Sequence, residues 1–253
     1  MNLNMSGKRA LVSGGLSTLG RAVVHTLATE GVEILFTYRS EGKAEEAREL
    51  CRSISQSYDV YCNAVCLDFL SASSVGEALG EVAAIFPALD ILIHNAGVFT
   101  LSRQNSLTEE QWDEVMNVNI KGFWRLMKGA DPLLRSPHGA VVAVSSINAQ
   151  RPGFGLTAHY DASKGAVSAY VRSLAAELAP RKIRVNGVAP GLLYSETLIQ
   201  ENPSLVDTYR ERALTSSLVD VQSVSSMIVY LASSAASAIT GEIVTIDGGY
   251  SLT

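Results

Sequence analysis

The stretch Ala10–Gly20, ALVSGGLSTLG, joins a short apolar run to a glycine-rich turn and to the start of a helical pattern. Glycines in such a turn permit a tight bend, and they let a pyrophosphate approach the backbone amides at a helix N-terminus. The same segment is also compatible with a simple strand-to-helix connection. The turn therefore indicates a strand–helix unit, and it makes Gly14, Ser17, Thr18, Leu19 and Gly20 candidates for phosphate binding.

Six further apolar runs, separated by longer helical patterns, repeat this unit along the chain. The seven runs are Ala10–Ser13, Ile34–Tyr38, Val60–Val65, Ile91–His94, Ala140–Ser145, Arg184–Ala189 and Ile243–Ile246. They are apolar throughout rather than alternating, as strands covered by helices on both faces should be. We predict an α/β fold, a Rossmann-type doubly wound seven-stranded parallel sheet flanked by helices, as a single domain over residues 1–253.

Composition narrows the classes of partner and the compartment. The 253 residues are 47% hydrophobic with a net charge of −5, a globular balance that disfavours nucleic acid and anionic membranes as partners. No apolar run is long enough to span a bilayer. Cys51, Cys62 and Cys66 form no CxxC pair, which predicts neither a metal site nor a disulfide framework. We expect a cytoplasmic protein that acts on a small molecule or binds another protein.

The end of the second run indicates which dinucleotide would bind. An acidic residue at this position would hold the ribose 2′-hydroxyl of NAD, but the sequence has Tyr38 followed by Arg39. A guanidinium suits a 2′-phosphate, which favours NADP(H) as the cofactor. The alternative is an exposed arginine that only begins a charged helix.

Residues after two other runs are candidates for the same cleft. Asn95-Ala96-Gly97 leaves room for a cofactor, and the Asn95 amide can tie neighbouring strands together. Asp68, followed by Phe69, either accepts a bond from an adenine amino group or caps a helix. His94 is interpreted as a structural hydrogen-bonding residue rather than a catalyst.

A catalytic group is predicted after the fifth run. Tyr160 and Lys164 stand four residues apart at the start of a helical pattern, so they share one helix face. A nearby ammonium, with the positive ring of an oxidised nicotinamide, should lower the pKa of the phenol from its usual value near 10. Ser146 can then hydrogen-bond the substrate oxygen beside that phenol.

Together these motifs resemble the short-chain dehydrogenase/reductase family over essentially the whole chain. The matching elements, in order, are the Gly14–Gly20 turn, Asn95-Ala96-Gly97, Asn119, Ser146, Tyr160 with Lys164, Pro190-Gly191 and Asp247-Gly248-Gly249.

The resemblance implies a role for each matching residue, with no metal. Tyr160 is the acid–base group, Lys164 lowers its pKa and holds the ribose, Ser146 orients the substrate, and Asn119 anchors a proton-relay water. It also implies that backbone near Leu193 and the Ser195 hydroxyl hold the nicotinamide carboxamide. The full set expected to contact NADP(H) is Gly14, Ser17, Thr18, Leu19, Gly20, Tyr38, Arg39, Asp68, Phe69, Asn95, Ala96, Gly97, Tyr160, Lys164, Pro190, Gly191, Leu193 and Ser195.

The chain departs from the family pattern at several positions. Thr18 replaces the middle glycine of the turn, where a side chain crowds the pyrophosphate or bonds it through its hydroxyl. The segment before Tyr160 is one residue longer than usual, which makes Ser145 a second candidate for the substrate-orienting serine. His159 is unusual, and we interpret it as lining the mouth or surface, or as touching substrate. The stretch Arg212–Ser217 lacks the Pro and Arg that many relatives carry.

The substrate is expected under a mobile lid over residues 192–216, which includes Tyr194, Leu198 and Tyr209, with Phe99 and Phe154 nearby. The nearest resemblance is to 3-oxoacyl-[acyl-carrier-protein] reductase-like ketoreductases. In those enzymes basic residues face the acidic helix of the carrier, and the corresponding residues here are Arg135, Arg181 and Lys182.

Three functions remain open. The first is reduction of a 3-oxoacyl chain tethered to a carrier protein or coenzyme A. The second is reduction or oxidation of a free sugar, alcohol or cyclic ketone, and the third is a catalytically idle nucleotide-binding regulator. The family also implies a homotetramer formed by the helices near Asn119–Leu134 and Tyr160 and by the C-terminal segment.

Overall fold

A computed structural model describes residues 3–152 and 155–253 of the chain, and it confirms the expected parallel sheet. The strands lie in the order β3-β2-β1-β4-β5-β6-β7, so the chain winds outward from β1 in both directions. All pairs are parallel. The strands are β1 (Arg9–Ser13), β2 (Glu33–Tyr38), β3 (Cys62–Cys66), β4 (Ile91–His94), β5 (Ala140–Val144), β6 (Arg184–Pro190) and β7 (Ile243–Ile246).

Helices connect successive strands and cover the sheet. The α-helices are α1 (Thr18–Thr29), α2 (Ala44–Tyr58), α3 (Ala72–Ile85), α4 (Glu109–Met116), α5 (Gly122–Ala130), α6 (Ala158–Leu178), α7 (Glu196–Glu201), α8 (Pro203–Arg212) and α9 (Val221–Ala232). Among the described residues, none of the helices combines the length and apolar character required to cross a membrane.

Each face of the sheet has its own hydrophobic core. Val12, Phe36 and Ile93 point to the side covered by α1, α2 and α9. Their neighbours Leu11 and Leu35 point to the other side, under α3, α5 and α6. Successive residues of one strand are therefore buried on opposite faces of the sheet, which explains why the runs are apolar without alternation.

The third run is less apolar than predicted, although α2 and α3 both contact its strand. The strand begins at Cys62, and β3 is the edge strand, with Asn63 exposed. Val60 and Tyr61 precede the strand, after Asp59 has ended α2 in the left-handed conformation. An edge strand needs fewer apolar residues because it has only one neighbour.

The segment between β4 and β5 also differs from the single helix expected around Asn119–Leu134. A capping box between Thr108 and Gln111 starts α4, and a π-turn over Asn117–Lys121 separates it from α5. Such turns insert an extra residue and occur often at functional sites. Here the π-turn directs the Asn119 side chain inward, where it is fully buried.

Candidate active site

A cleft of about 680 Å³ opens at the carboxyl ends of the strands, where ligands bind in doubly wound sheets. Most of the expected site residues line it. These are Gly14, Ser17, Thr18, Leu19, Tyr38, Arg39, Asp68, Phe69, Asn95, Ala96, Gly97, Ser146, Tyr160, Lys164, Pro190, Gly191 and Leu193. Gly20, Asn119 and Ser195 are not among the lining residues.

The turn after β1 is closed by a network centred on Ser17. The Ser17 hydroxyl donates to the Gly14 carbonyl (3.0 Å) and accepts from the Gly20 amide (3.0 Å), which caps α1. The side-chain amide of Asn95 donates to the Gly14 carbonyl (2.9 Å) and so ties β4 to this turn, as expected. Gly14 has φ +70°, and a Cβ on Gly20 would lie 2.1 Å from the Gly14 carbonyl oxygen. Glycine is therefore required at both positions.

Thr18, the first residue of α1, is exposed and lines the cleft. The hydrogen bonds of Ser17 to Gly14 and Gly20 form with Thr18 between them, and the Thr18 side chain takes no part in either bond. Thr18 and Leu19, at the N-terminus of α1, both line the cleft, and the amides of a helix N-terminus are groups to which anions can bind.

The end of β2 places a cation over the cleft. The Arg39 guanidinium is 58% exposed and lies 3.6 Å from a Glu114 carboxylate oxygen, a contact that solvent screens. Lys43, which the sequence reasoning missed, lines the same region and pairs with Glu46 at 2.7 Å. The position of Lys43 shortly after the end of β2 is the sequence feature that could have predicted its place at the cleft. Two cations thus border the region expected to receive a 2′-phosphate.

Asp68 does not cap α3. Ser71 performs that role, because its hydroxyl accepts from the Ser74 amide at 3.2 Å. The Asp68 carboxylate instead accepts from the Leu70 amide at 3.0 Å, while Asp68 lines the cleft beside Phe69. The free acceptor capacity of this carboxylate suits an adenine amino group.

Two adjacent serines at the end of β5 have different environments. The Ser145 hydroxyl lies within hydrogen-bond distance of the Lys164 carbonyl (3.1 Å) and the Ser168 hydroxyl (2.7 Å), both on α6. The Ser146 hydroxyl accepts from the Asn148 amide at 3.2 Å and forms a hydrogen bond with Tyr160. Ser145 therefore holds α6 against β5, and Ser146 is the serine beside the phenol.

Lys164 is 4% exposed and donates from Nζ to the Val144 carbonyl at 2.8 Å. Burial lowers the pKa of this ammonium to about 8, because desolvation penalises the charged form. The nitrogen lies 5.7 Å from the centre of the Tyr160 ring. The predicted pairing on one face of α6 is therefore present.

The predicted lowering of the Tyr160 pKa requires both the ammonium and an oxidised nicotinamide, and in the protein alone this pKa is raised. Burial raises it to about 12, and the hydrogen bond with Ser146 only partly opposes that rise. Desolvation is the largest influence on the pKa of this phenol, while the Lys164 nitrogen lies beside the ring and donates to the Val144 carbonyl. At neutral pH the phenol is protonated, the form that donates a proton to a substrate oxygen.

Asn119 is fixed entirely by protein partners. Its Oδ1 accepts from the Val98 amide (2.8 Å), and its Nδ2 donates to the Val98 carbonyl (3.0 Å) and the Ser163 hydroxyl (2.9 Å). The side chain is therefore committed to joining the π-turn, the β4 exit and α6. Any role in holding a relay water falls to its backbone.

His94 is a buried structural residue, consistent with its interpretation. The Ser13 hydroxyl accepts from the amides of Asn95 and Ala96, so its own proton is free for Nδ1 of His94 at 3.2 Å. The ring stacks on Phe123 at 4.5 Å. Burial, followed by the charge of Lys164, lowers the pKa of His94 to about 3, so the imidazole is neutral.

Known proteins are similar to this chain in both sequence and fold. A family model described as "Enoyl-(Acyl carrier protein) reductase" matches residues 14–251. A 3-oxoacyl-[acyl-carrier-protein] reductase from Escherichia coli is 30% identical over 252 residues, covering 98% of each chain. The chain belongs to the short-chain dehydrogenase/reductase family. It is therefore an oxidoreductase.

Solved structures agree with this family assignment. L-sorbose reductase from Gluconobacter frateurii, complexed with NADPH and L-sorbose, superimposes with a TM-score of 0.92 at 25% identity over 100% of both chains. A short-chain dehydrogenase from Burkholderia cenocepacia in complex with NADP has a TM-score of 0.91 at 30% identity, covering 98% of this chain and 99% of the other.

The predicted lid of this short-chain dehydrogenase/reductase contains α7 and α8. The Ser195 hydroxyl accepts from the Leu198 amide (3.4 Å) and caps α7, which accounts for its position away from the cleft. Tyr209 on α8 is fully buried, and its hydroxyl donates to the Asp247 carbonyl at 2.7 Å. Tyr209 anchors this segment beneath Gly191. Tyr194, in contrast, is 47% exposed, and Phe154 lies outside the described residues.

The cations expected to face a carrier protein lie at the amino end of β5 and β6, away from the cleft. Arg181 is bound to the carboxylate and carbonyl of Asp131, and Arg135 pairs with Asp90 at 3.2 Å. Lys182 is exposed, in the left-handed conformation. Intramolecular partners thus occupy two of the three cations.

Proposed function

We propose that this oxidoreductase is an NADPH-dependent ketoreductase whose substrate is a 3-oxoacyl chain linked as a thioester to a carrier protein or coenzyme A. The main support is the juxtaposition of Ser146, Tyr160 and Lys164 at the end of the cleft opposite Arg39. One end of the cleft thus carries proton-transfer groups and the other carries cations. We assign this function to a single domain that spans residues 1–253.

The residues around the cleft suit a dinucleotide phosphate. The turn at Gly14 exposes helix amides to the pyrophosphate, and Arg39 and Lys43 provide charge for a 2′-phosphate. When bound, NADPH supplies a hydride to the carbonyl carbon. The Tyr160 hydroxyl gives its proton to the carbonyl oxygen, and Ser146 holds that oxygen in place. The Lys164 ammonium stabilises the resulting phenolate.

The lining of the substrate end favours an acyl chain. Phe99 packs against the Tyr160 ring, and Ile147 and Leu192 add apolar surface to the lining of the cleft. The side-chain amide of Asn148 already donates a hydrogen bond to the Asp161 carboxylate at 2.7 Å. A polyol would need several polar partners in this region, because unpaired hydroxyls are costly to bury. Two relatives, from Escherichia coli and Aquifex aeolicus, are named as 3-oxoacyl-[acyl-carrier-protein] reductases.

A free sugar is the second candidate, supported by the structural similarity to L-sorbose reductase. Arg135 and Arg181 are paired with Asp90 and Asp131, so these two cations give little support to the docking of an acidic carrier protein. NADPH consumption should therefore be compared for acetoacetyl-coenzyme A, a carrier-linked 3-oxoacyl chain, L-sorbose and cyclohexanone. We expect the highest kcat/KM on a thioester, and a preference for a free ketone would overturn the assignment. No turnover together with tight NADPH binding would instead indicate the idle regulator.

Arg39→Ala should weaken NADPH binding by roughly 10- to 100-fold, because a charge-assisted bond contributes about 1.5–3 kcal/mol. NADH binding should change little, since it lacks the 2′-phosphate. Titration of both cofactors against the variant measures the difference. Arg48→Ala is the matched control, because that arginine pairs with Glu45 on the outer side of α2. Equal weakening of NADPH and NADH would contradict the assignment.

We also propose a homotetramer in the cytoplasm. Trp112 on α4 and Trp124 on α5 are 39% and 45% exposed, the kind of large apolar surface that subunit interfaces cover. The free thiols of Cys51, Cys62 and Cys66 fit a reducing compartment.

A further inference from the structure

A short segment beside the phenol, which we term the strap (residues 98–102), is tied at three points. Asn119 holds both the amide and the carbonyl of Val98. The Thr100 hydroxyl lies 2.7 Å from Nε2 of His159. The Ser102 amide donates to the Leu156 carbonyl at 2.9 Å. The strap is therefore fastened at its start to the π-turn, and at its middle and end to the region where α6 begins.

The middle tie is a partly buried side-chain contact between residues 59 positions apart. His159 has no exposed surface, which corrects the expectation that it lines the mouth or surface. It is also absent from the residues that line the cleft. Its imidazole instead faces the strap from the first turn of α6, one residue before Tyr160.

Phe99, between two of these ties, forms part of the cleft wall. Its ring lies perpendicular to that of Tyr160, with centres 4.8 Å apart. The Phe99 residue is 53% exposed, so side-chain packing alone holds it weakly. The backbone of the strap must therefore determine where this ring stands.

We propose that the bond between Thr100 and His159 is a clasp that holds Phe99 over Tyr160 and thereby excludes substrates branched beside the reacting carbonyl. His159 is a positioning residue for substrate selection, and the proposal rests on the ketoreductase function above. With the clasp closed, the Phe99 ring stays 4.8 Å from the Tyr160 ring and crowds a branch on the carbon next to the reacting carbonyl. With the clasp open, the strap can move away from Tyr160.

Thr100→Val tests the clasp with little change of shape, and Thr100→Ser is the matched control that keeps the hydroxyl. The assay compares kcat/KM for the N-acetylcysteamine thioesters of 3-oxobutanoate and 2-methyl-3-oxobutanoate. We expect Thr100→Val to reduce the preference for the unbranched substrate by roughly tenfold, which is within the range of discrimination that a close-fitting pocket achieves for one methyl group. Thr100→Ser should keep the wild-type preference, and the pH profile of kcat should not change in either variant.

His159→Asn, whose side chain is too short to reach Thr100, should lower the preference to the same extent. The double variant should be no worse than either single variant if both act through one bond. Unchanged selectivity in Thr100→Val, or an equal loss in Thr100→Ser, would overturn the clasp.

Hydrogen exchange separates failure of the clasp from failure of the proposed function. The amides of residues 99–102 should exchange faster in Thr100→Val than in Thr100→Ser, whether or not any ketone is reduced. Faster exchange without turnover of either thioester would count against the substrate assignment and support the clasp. Equal exchange in both variants would refute the clasp even in an active ketoreductase.

Discussion

Tyr160→Phe should lower kcat for ketone reduction by roughly 10³-fold or more and leave NADPH affinity nearly unchanged. The variant keeps the ring, and with it the contact with Phe99, but it removes the proton that the carbonyl oxygen requires. Because the pKa of the phenol is raised to about 12, the hydroxyl is protonated over the whole neutral range, so the loss should not depend on pH there. Steady-state reduction and cofactor titration measure the two effects.

Tyr170→Phe is the control for this substitution. Tyr170 lies on the same helix α6 and packs on Phe123 at 5.2 Å, away from the cleft. It should keep wild-type kcat. Near-normal turnover by Tyr160→Phe would remove the proton-donor role and leave the Ser146 hydroxyl to be tested next.

Lys164→Met should abolish most activity and stabilise the fold at pH 7. Burial lowers the pKa of Lys164 from 10.5 to about 8, so holding the charged form costs the folded state about 3 kcal/mol. Loss of the bond to the Val144 carbonyl offsets about 1 kcal/mol of that gain. The expected result is a free energy of unfolding about 2 kcal/mol higher than that of the wild type, measured by urea denaturation.

The pH dependence gives the sign of this effect. Between pH 8 and 10.5 the unfolded chain binds more protons at this lysine than the folded protein does, so wild-type stability rises with pH. The advantage of Lys164→Met should therefore be complete below pH 8 and shrink above it. Tyr160, whose pKa is raised from 10.0, acts in the opposite sense above pH 10, so the comparison is best made below that value.

Lys128→Met is the control, because Lys128 is exposed on α5 over the Trp124 ring. It should change stability little and keep no comparable pH dependence. A Lys164→Met variant less stable than the wild type at pH 7 would show that the bond to Val144 contributes more than burial of the charge costs.

The sequence predicts the sheet well because strands that are buried on both faces consist almost entirely of apolar residues. Leu11 and Val12 face opposite cores, and so do Leu35 and Phe36, so continuous apolar runs are required. Polar residues directly after those runs then fall at one edge of the sheet, which is why Arg39, Ser146 and most other expected residues line one cleft.

Other positions depend on tertiary packing, which the sequence pattern does not carry. Ser145 and Ser146 are indistinguishable as letters, and only the docking of α6 assigns the first to Ser168 and the second to Tyr160. His159 is buried and contacts Thr100, 59 positions away in the chain, which no local pattern could indicate. The raised pKa of Tyr160 follows mainly from the burial of its hydroxyl, which spacing along one helix cannot reveal.

The anchoring of α8 has a consequence for redesign of substrate choice. Tyr209 stacks on Tyr250 at 4.5 Å, the Arg212 guanidinium lies 4.2 Å from the centre of the Tyr250 ring, and the Thr215 amide donates to the Gly248 carbonyl. A loop grafted from another reductase into positions 192–216 would meet a mismatched tail. Residues 247–253 should therefore be exchanged together with that loop, as one module.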